Sequence, residues 1–264
     1  MELVDQLQRK LKFNDTPKRI ISLVPSLTEL LVDLGLEEYI VGITKFCVHP
    51  YHLKQTKTIV GGTKNIKLEK IRALQPDIIL CNKEENTKDI VDSCVKVAPV
   101  YVSNIFTLKD VFQLIEHYGI LFSCRTESSK IIQKLNFKLD DFSTFIENVT
   151  PKKIAYFIWR NPWMAVGNTT FINHLLVLNK FENIYSNRER YPEVELKKIR
   201  LEGDPDLVFL SSEPYPFKEE HAFEVGRCTH HAKTVFVDGE LFSWYGTRLL
   251  KSFDYFKRLH ERII

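Results

Sequence analysis

The sequence predicts an α/β protein of two lobes with mainly parallel sheets, joined by one long spine helix, with a ligand cleft between the lobes. Three observations predict it. Apolar runs of strand length alternate with stretches whose apolar residues recur every three or four positions, the pattern of βαβ units. From Ile120 to Thr150 there is neither Gly nor Pro, and from Ile131 to Val149 apolar residues recur every three or four positions. A helix–Pro-Asp–strand segment occurs twice, once in each half. The implied boundaries are 17–122 for an N-terminal lobe, 123–149 for the linking helix and 150–264 for a C-terminal lobe.

Residues 19–24 read as a buried strand. Ser26 and Glu29 then match an S-x-x-E capping box, Leu27, Leu30, Leu31 and Leu34 share one helix face, and Gly35 closes the helix. Tyr39 to Thr44 is a strand. Leu68, Ile71 and Leu74 mark a helix that must stop before Pro76, because proline bars helical geometry in the residue before it. Strands at Asp77 to Cys81 and Val100 to Ser103 bracket a helix over 87–96. Thr107 and Asp110 open another helix, which Gly119 is expected to end. Ile131, Leu135, Leu139, Phe142 and Ile146 then predict one helix from about Thr126 to Asn148, against the alternative of two helices broken near Asn136. After Pro151 come strands at Lys153 to Trp159, Asp206 to Leu210 and Thr234 to Asp238, and helices over 169–179 and 248–263.

The repeat compares Leu68-Glu-Lys-Ile-Arg-Ala-Leu-Gln-Pro-Asp with Leu196-Lys-Lys-Ile-Arg-Leu-Glu-Gly-Asp-Pro-Asp, each running into a buried strand and then an acidic loop. Duplication is favoured over generic α/β punctuation.

A chain of 264 residues, 44% hydrophobic and 27% charged, has the composition of a soluble globular protein long enough for two lobes. A net charge of +3 gives no reason to expect nucleic acid or an anionic membrane as partner. The N-terminus lacks the apolar stretch of a signal peptide, and the longest apolar run, near Ile154 to Trp159, is far short of the roughly 20 residues that span a bilayer. Five cysteines without a CxxC pair suit a reducing compartment. A cytoplasmic location is therefore expected, or a periplasmic one if a leader was trimmed.

Segments that follow strands carry the candidate chemistry. In the first half these hold Ser26, Lys45, Phe46, Cys47, His49, Lys64 and Lys83. In the second they hold Trp159, Arg160, Trp163, Tyr215, Trp244, Tyr245 and Arg248. All three tryptophans fall here, which suggests a broad apolar platform for a large planar ligand, or simply plugs at the lobe ends. Lysines and arginines among them could meet carboxylate or phosphate. Cys47 and His49 could supply two metal ligands from one loop, or His49 could approach a metal already held by an organic ring. The stretch Cys228-Thr-His230-His231 is a weaker metal candidate. No G-x-S-x-G, P-loop, G-x-G-x-x-G or H-E-x-x-H is present, and Cys47 with His49 lacks an orienting third group, so no enzymatic activity is expected.

At Arg19-Ile-Ile-Ser-Leu-Val-Pro-Ser-Leu-Thr-Glu-Leu, Val41-Gly-Ile-Thr, Leu68 to Asp77, the midchain helix and Ser243-Trp244-Tyr245 the sequence resembles the helical-backbone (class III) periplasmic substrate-binding proteins of ABC importers, those for vitamin B12, haem and ferric siderophores. The resemblance covers about residues 17–260. It implies non-catalytic binding of a corrinoid, haem or ferric chelate by a monomer with no intrinsic cofactor. It places Phe46 against a corrinoid and Trp244 and Tyr245 on the opposite lobe closing over it. It also implies docking to an ABC permease through one acid per lobe. Glu69 fits the first, but Lys197 (Lys198 if the register slips by one) stands at the second, where like charges would repel. A cytoplasmic carrier or sensor of the same ligand class, and a direct metal-ion binder using Cys47 and His49, are the alternatives.

Overall fold

The structure is a computed structural model and describes residues 1–263. Contacts divide it into two compact units, Met1–Phe137 with Trp244–Leu250, and Lys138–Ser243 with Lys251 onward. Residues 244–250, expected in the C-terminal lobe, are therefore part of the first unit.

The first unit opens with a hairpin, β1 (Glu2–Val4) and β2 (Lys10–Lys12). Five strands follow: β3 (Ile20–Ser22), β4 (Ile40–Ile43), β5 (Thr58–Ile59), β6 (Ile78–Asn82) and β7 (Val100–Ser103). They form one parallel sheet in the order β5-β4-β3-β6-β7. Every residue of β3, β6 and β7 is buried, as in a sheet with both faces covered.

The helices of this unit are α1 (Pro25–Asp33), α2 (Leu53–Thr56), α3 (Leu68–Ala73), α4 (Lys88–Val95) and α5 (Leu108–Leu121). Two sequence expectations fail here. Ser26 does not cap α1. Val24 is the cap residue, no side chain caps the helix, and Pro25 occupies the first turn, where its fixed φ and missing N–H cost nothing. Gly119 does not end α5. The helix runs through it, and a Cβ there would overlap the Ser128 hydroxyl, so the glycine permits close approach. The Thr107–Asp110 capping box forms as expected.

Helix α6 (Arg125–Ile146) is a single element of 22 residues with no break at Asn136, about 33 Å long at ~1.5 Å per residue. It begins in the first unit and ends in the second.

The second unit carries β8 (Lys152–Trp159), β9 (Met164–Ala165), β10 (Phe181–Asn183), β11 (Leu207–Ser211) and β12 (Lys233–Val237). Its helices are α7 (Phe171–Leu178), α8 (Ile199–Glu202), α9 (Glu219–Gly226), α10 (Gly239–Ser243) and α11 (Leu249–Ile263), the last beginning in the first unit. The parallel order β10-β8-β11-β12 repeats β4-β3-β6-β7, with β9 added antiparallel to β8.

The Pro-Asp repeat acts alike in both sheets. Asp77 Oδ2 accepts from Lys18 N (2.8 Å) and Arg19 N (2.9 Å) at the start of β3. Asp206 Oδ2 accepts from Lys153 N (2.8 Å) at the start of β8. Each Asp N–H also donates back to that neighbouring strand, at 2.8 Å in both cases. Matching strand order and matching aspartate bonds support duplication.

Aromatic packing joins α11 to α6, with Phe142 5.7 Å from Phe253 and 5.9 Å from Phe256. Nearby His260 is buried, stacks on Phe181 at 4.9 Å and contacts Asn179 Oδ1 at 3.2 Å. Burial, with Lys152 adding, pushes its pKa down to about 4. The unfolded chain therefore binds the proton first as pH falls. Stability of the second unit is expected to drop between about pH 6.5 and 4, with this group contributing a slope of up to ~1.4 kcal/mol per pH unit. Urea unfolding of the wild type and His260→Gln at pH 7 and pH 5 should show a smaller acid loss in the variant.

Candidate functional site

In parallel α/β sheets ligands bind outside the carboxyl ends of the strands, where the strand order reverses direction. In the first sheet that point lies between β3 and β6, in the second between β8 and β11.

In the first unit the loops at this edge are braced by a polar network. Lys45 N donates to Gly61 O (2.8 Å) and Gly62 N to Asn65 O (2.7 Å). Asn86 Nδ2 donates to Thr63 O (2.9 Å), tying the turn after β5 to the loop after β6. Buried Asn82 accepts from Glu84 N and Glu85 N at 2.8 and 3.1 Å through its Oδ1. A satisfied buried network of this kind holds loops in one arrangement.

Phe46 stands on this frame and is 48% exposed. Its ring lies over Gly62, where an added Cβ would meet Phe46 Cε2 at 3.0 Å, and Lys45 Nζ is 4.9 Å from the ring centroid. Lys64 and Lys83 are also exposed, and Lys64 Nζ donates to Glu84 O at 2.6 Å.

Five other expected ligand contacts of the first unit are buried. Ser26 is buried in the first turn of α1. Cys47 has no exposure, its thiol lies between the Thr28 and Thr44 hydroxyls at 3.1 and 3.3 Å, and burial pushes its pKa up. A neutral, enclosed thiol is a poor metal ligand or nucleophile. Trp244 is buried between the edge of half-buried His49 (5.5 Å, 70°) and the Arg248 guanidinium (4.8 Å). Arg248 Nε donates to Glu29 Oε2 at 2.8 Å, with both side chains buried. Tyr245 is buried, which raises its pKa, while hydrogen bonds with Ser103 and Ser26 pull the other way. Trp244 and Tyr245 thus lie in the same unit as Phe46 and not on an opposite lobe.

In the second unit Trp159, at the end of β8, is 39% exposed and meets Tyr215 edge-on at 5.5 Å. Trp163 is buried, stacked on Phe217 at 5.5 Å and 16°, with its Nε1 donating to Glu224 Oε1 at 3.3 Å. Arg160 is paired with the same Glu224 at 2.8 Å, so its charge is neutralised within the protein. The expected platform of three tryptophans is thus reduced to Trp159, because Trp163 and Trp244 pack inward. Sequence reasoning missed Phe217 and His221, which support Tyr215: the rings of Tyr215 and Phe217 are 4.8 Å apart, and Tyr215 Oη lies 3.2 Å from His221 Nε2. The aromatic spacing in Tyr215-Pro216-Phe217 was the available signal.

Glu69 is exposed in the first turn of α3 and pairs with Arg72 at 2.7 Å, and Lys197 is exposed. Among the described residues no group of three or more His, Cys, Asp or Glu is placed to hold a metal ion, and none of the helices is long and apolar enough to cross a membrane.

The chain matches the periplasmic binding protein family over residues 20–226. It is 23% identical over 248 residues to an ABC transporter substrate-binding lipoprotein of Bacillus subtilis (strain 168), covering 89% of this chain and 77% of that protein. It is 26% identical over 207 residues to a vitamin B12-binding protein of Vibrio campbellii, covering 75% and 72%. Its fold is similar to that of the periplasmic vitamin B12 binding protein of Vibrio cholerae, with a TM-score of 0.79, 19% identity, and 94% and 98% of the two chains covered. With more than half its length matched, the chain belongs to the periplasmic binding protein family.

Proposed function

We propose that this chain binds a bulky metal chelate without converting it, as the substrate-binding component of an ABC-type importer. The observation that carries the reading is Phe46, a half-exposed aromatic held over Gly62 by braced loops at the carboxyl edge of the first sheet. Water-exposed aromatic surface on a rigid frame favours a large, flat, partly apolar ligand. Trp159 with Tyr215 offers comparable surface at the carboxyl edge of the second sheet. The relatives' names, a lipoprotein and periplasmic or vitamin B12-binding proteins, support a corrinoid-like ligand and a location outside the cytoplasm. They give no support to the cytoplasmic expectation. Exposed Lys197 at the second docking position favours a second reading, a carrier or sensor of the same ligand class without a permease.

Titration with cobalamin, dicyanocobinamide, haem and a ferric siderophore, followed by tryptophan fluorescence, tests the reading. At least one ligand should bind and be recovered chemically unchanged. Phe46→Ala should weaken that binding about tenfold or more, since a buried aromatic contributes ~1.5–3 kcal/mol. No binding to any of the four would end the proposal.

A further inference from the structure

We propose that Cys81 and Cys94 are a cross-linking site: under oxidising conditions the folding chain joins them by a disulfide that ties α4 to β6. Cys81 is the penultimate residue of β6, and Cys94 lies in the last turn of α4. Side chains alternate across a strand, so Ile79 and Cys81 share one face of β6. On α4, Ile90 and Cys94 are four residues apart and share one face of the helix. These two faces meet, because Ile79, Cys81, Ile90 and Cys94 belong to one buried apolar cluster with Val100 and Val102 of β7. Neither cysteine has any exposure, and their thiols are hydrogen-bonded to each other. That bond lowers the pKa of Cys94, against the opposing effect of burial, and so favours its thiolate.

The other cysteines are placed differently. Cys47 lies between the Thr28 and Thr44 hydroxyls, Cys124 Sγ donates to Tyr118 O at 3.7 Å, and Cys228 packs against a cluster of the second unit. A bond between Cys81 and Cys94 closes a loop of about 14 residues, which stabilises chiefly by restricting the unfolded chain. The closed loop includes Asn86, which donates to Thr63 O, so the cross-link also fastens a brace of the candidate site. Thiols this enclosed are out of reach of reagents in the folded protein, so the bond forms as the chain folds. The thiolate of one cysteine attacks a sulfur of an external disulfide, such as oxidised glutathione, and expels one glutathione thiolate. The thiolate of the second cysteine then attacks the protein sulfur of the mixed disulfide and expels the other. The cysteines are oxidised, the external disulfide is reduced by the same pair of electrons, and the thiol protons pass through water to the released glutathiones.

The test refolds the full chain from urea with reduced or with oxidised glutathione, then denatures and alkylates it. Oxidative refolding should leave three of the five cysteines open to alkylation, and a tryptic digest should contain peptides 73–83 and 89–96 joined to each other. The oxidised form should melt roughly 5–10 °C above the reduced form, and the difference should vanish when the bond is reduced in denaturant and the chain refolded. Cys124→Ala and Cys228→Ala should keep both the joined peptides and the shift. Cys94→Ala should lose both. Five alkylated cysteines after oxidative refolding, glutathione retained on Cys81 or Cys94, or a bond joining any other pair would overturn the proposal. An oxidised form that melts no higher than the reduced one would also overturn it, because the bond would then strain the fold.

Discussion

Arg248→Ala is expected to destabilise the first unit by about 3–5 kcal/mol, the usual cost of breaking a buried ion pair from one side. Arg248 and Glu29 are 6% and 7% exposed, and Arg248 Nε lies 2.8 Å from Glu29 Oε2. Removing the guanidinium leaves a carboxylate on α1 that water cannot easily reach. It also takes away the surface that covers Trp244, whose ring lies 4.8 Å from the guanidinium carbon. The pair joins segments 219 residues apart, and it helps to hold residues 244–250 on the first unit. The double replacement Glu29→Leu with Arg248→Met should recover much of the loss, because apolar side chains of similar volume replace buried pairs at little cost. Urea unfolding followed by circular dichroism measures both. A red shift of tryptophan emission in Arg248→Ala would report the uncovering of Trp244. Equal losses in the single and double variants would show that packing, and not charge pairing, holds the segment.

Longer elements of the fold are legible in the sequence because they satisfy several signals at once. The strand Ile78–Asn82 follows a Pro-Asp stop and is apolar on both faces, so its place is read to within a residue. The helix Arg125–Ile146 has an unbroken period and no breaker. The strands Thr58–Ile59, Met164–Ala165 and Phe181–Asn183 escape because two or three residues carry no period to detect. Gly119 misleads for a different reason. Its role is steric and depends on Ser128, a residue of another helix, and no local pattern records that.

At the candidate site the loops were legible and the side-chain directions were not. Carboxyl ends of parallel strands are predictable once the strands are, so the loop positions of Phe46, Lys83 and Trp159 follow from the sequence. Whether a tryptophan at such an end faces water or the interior depends on distant partners. Trp163 finds Phe217 and Glu224, and Trp244 finds His49 and Arg248. The basic residues divide in a physically sensible way. Arg160 and Arg248 are drawn to acids 64 and 219 residues away, because a planar guanidinium makes well-directed bonds to carboxylate. Lysines, more strongly hydrated, remain at the surface.

Asp5→Ala should cost about 3 kcal/mol, although it lies in a hairpin that the sequence pattern does not reveal. The Asp5 side chain is fully enclosed and bonded on every side. Its Oδ1 accepts from Leu7 N and Arg9 N, each at 2.9 Å, and its Oδ2 accepts from Arg9 Nη2 (2.7 Å) and Val102 N (3.1 Å). Arg9 Nη2 continues to Val100 O at 2.7 Å. Val100 and Val102 belong to β7, the edge strand of the first sheet, so this carboxylate and guanidinium occupy groups that would otherwise stand open for another strand. Arg9 keeps a third of its exposure, which places the cost at the lower end of the buried-pair range. Hydrogen exchange at Val102 should accelerate in Asp5→Ala, and so should proteolysis within residues 1–12. Asp5→Asn, which can still accept from backbone N–H groups, should lose less. Unchanged exchange at Val102 in Asp5→Ala would show that the hairpin does not protect this edge.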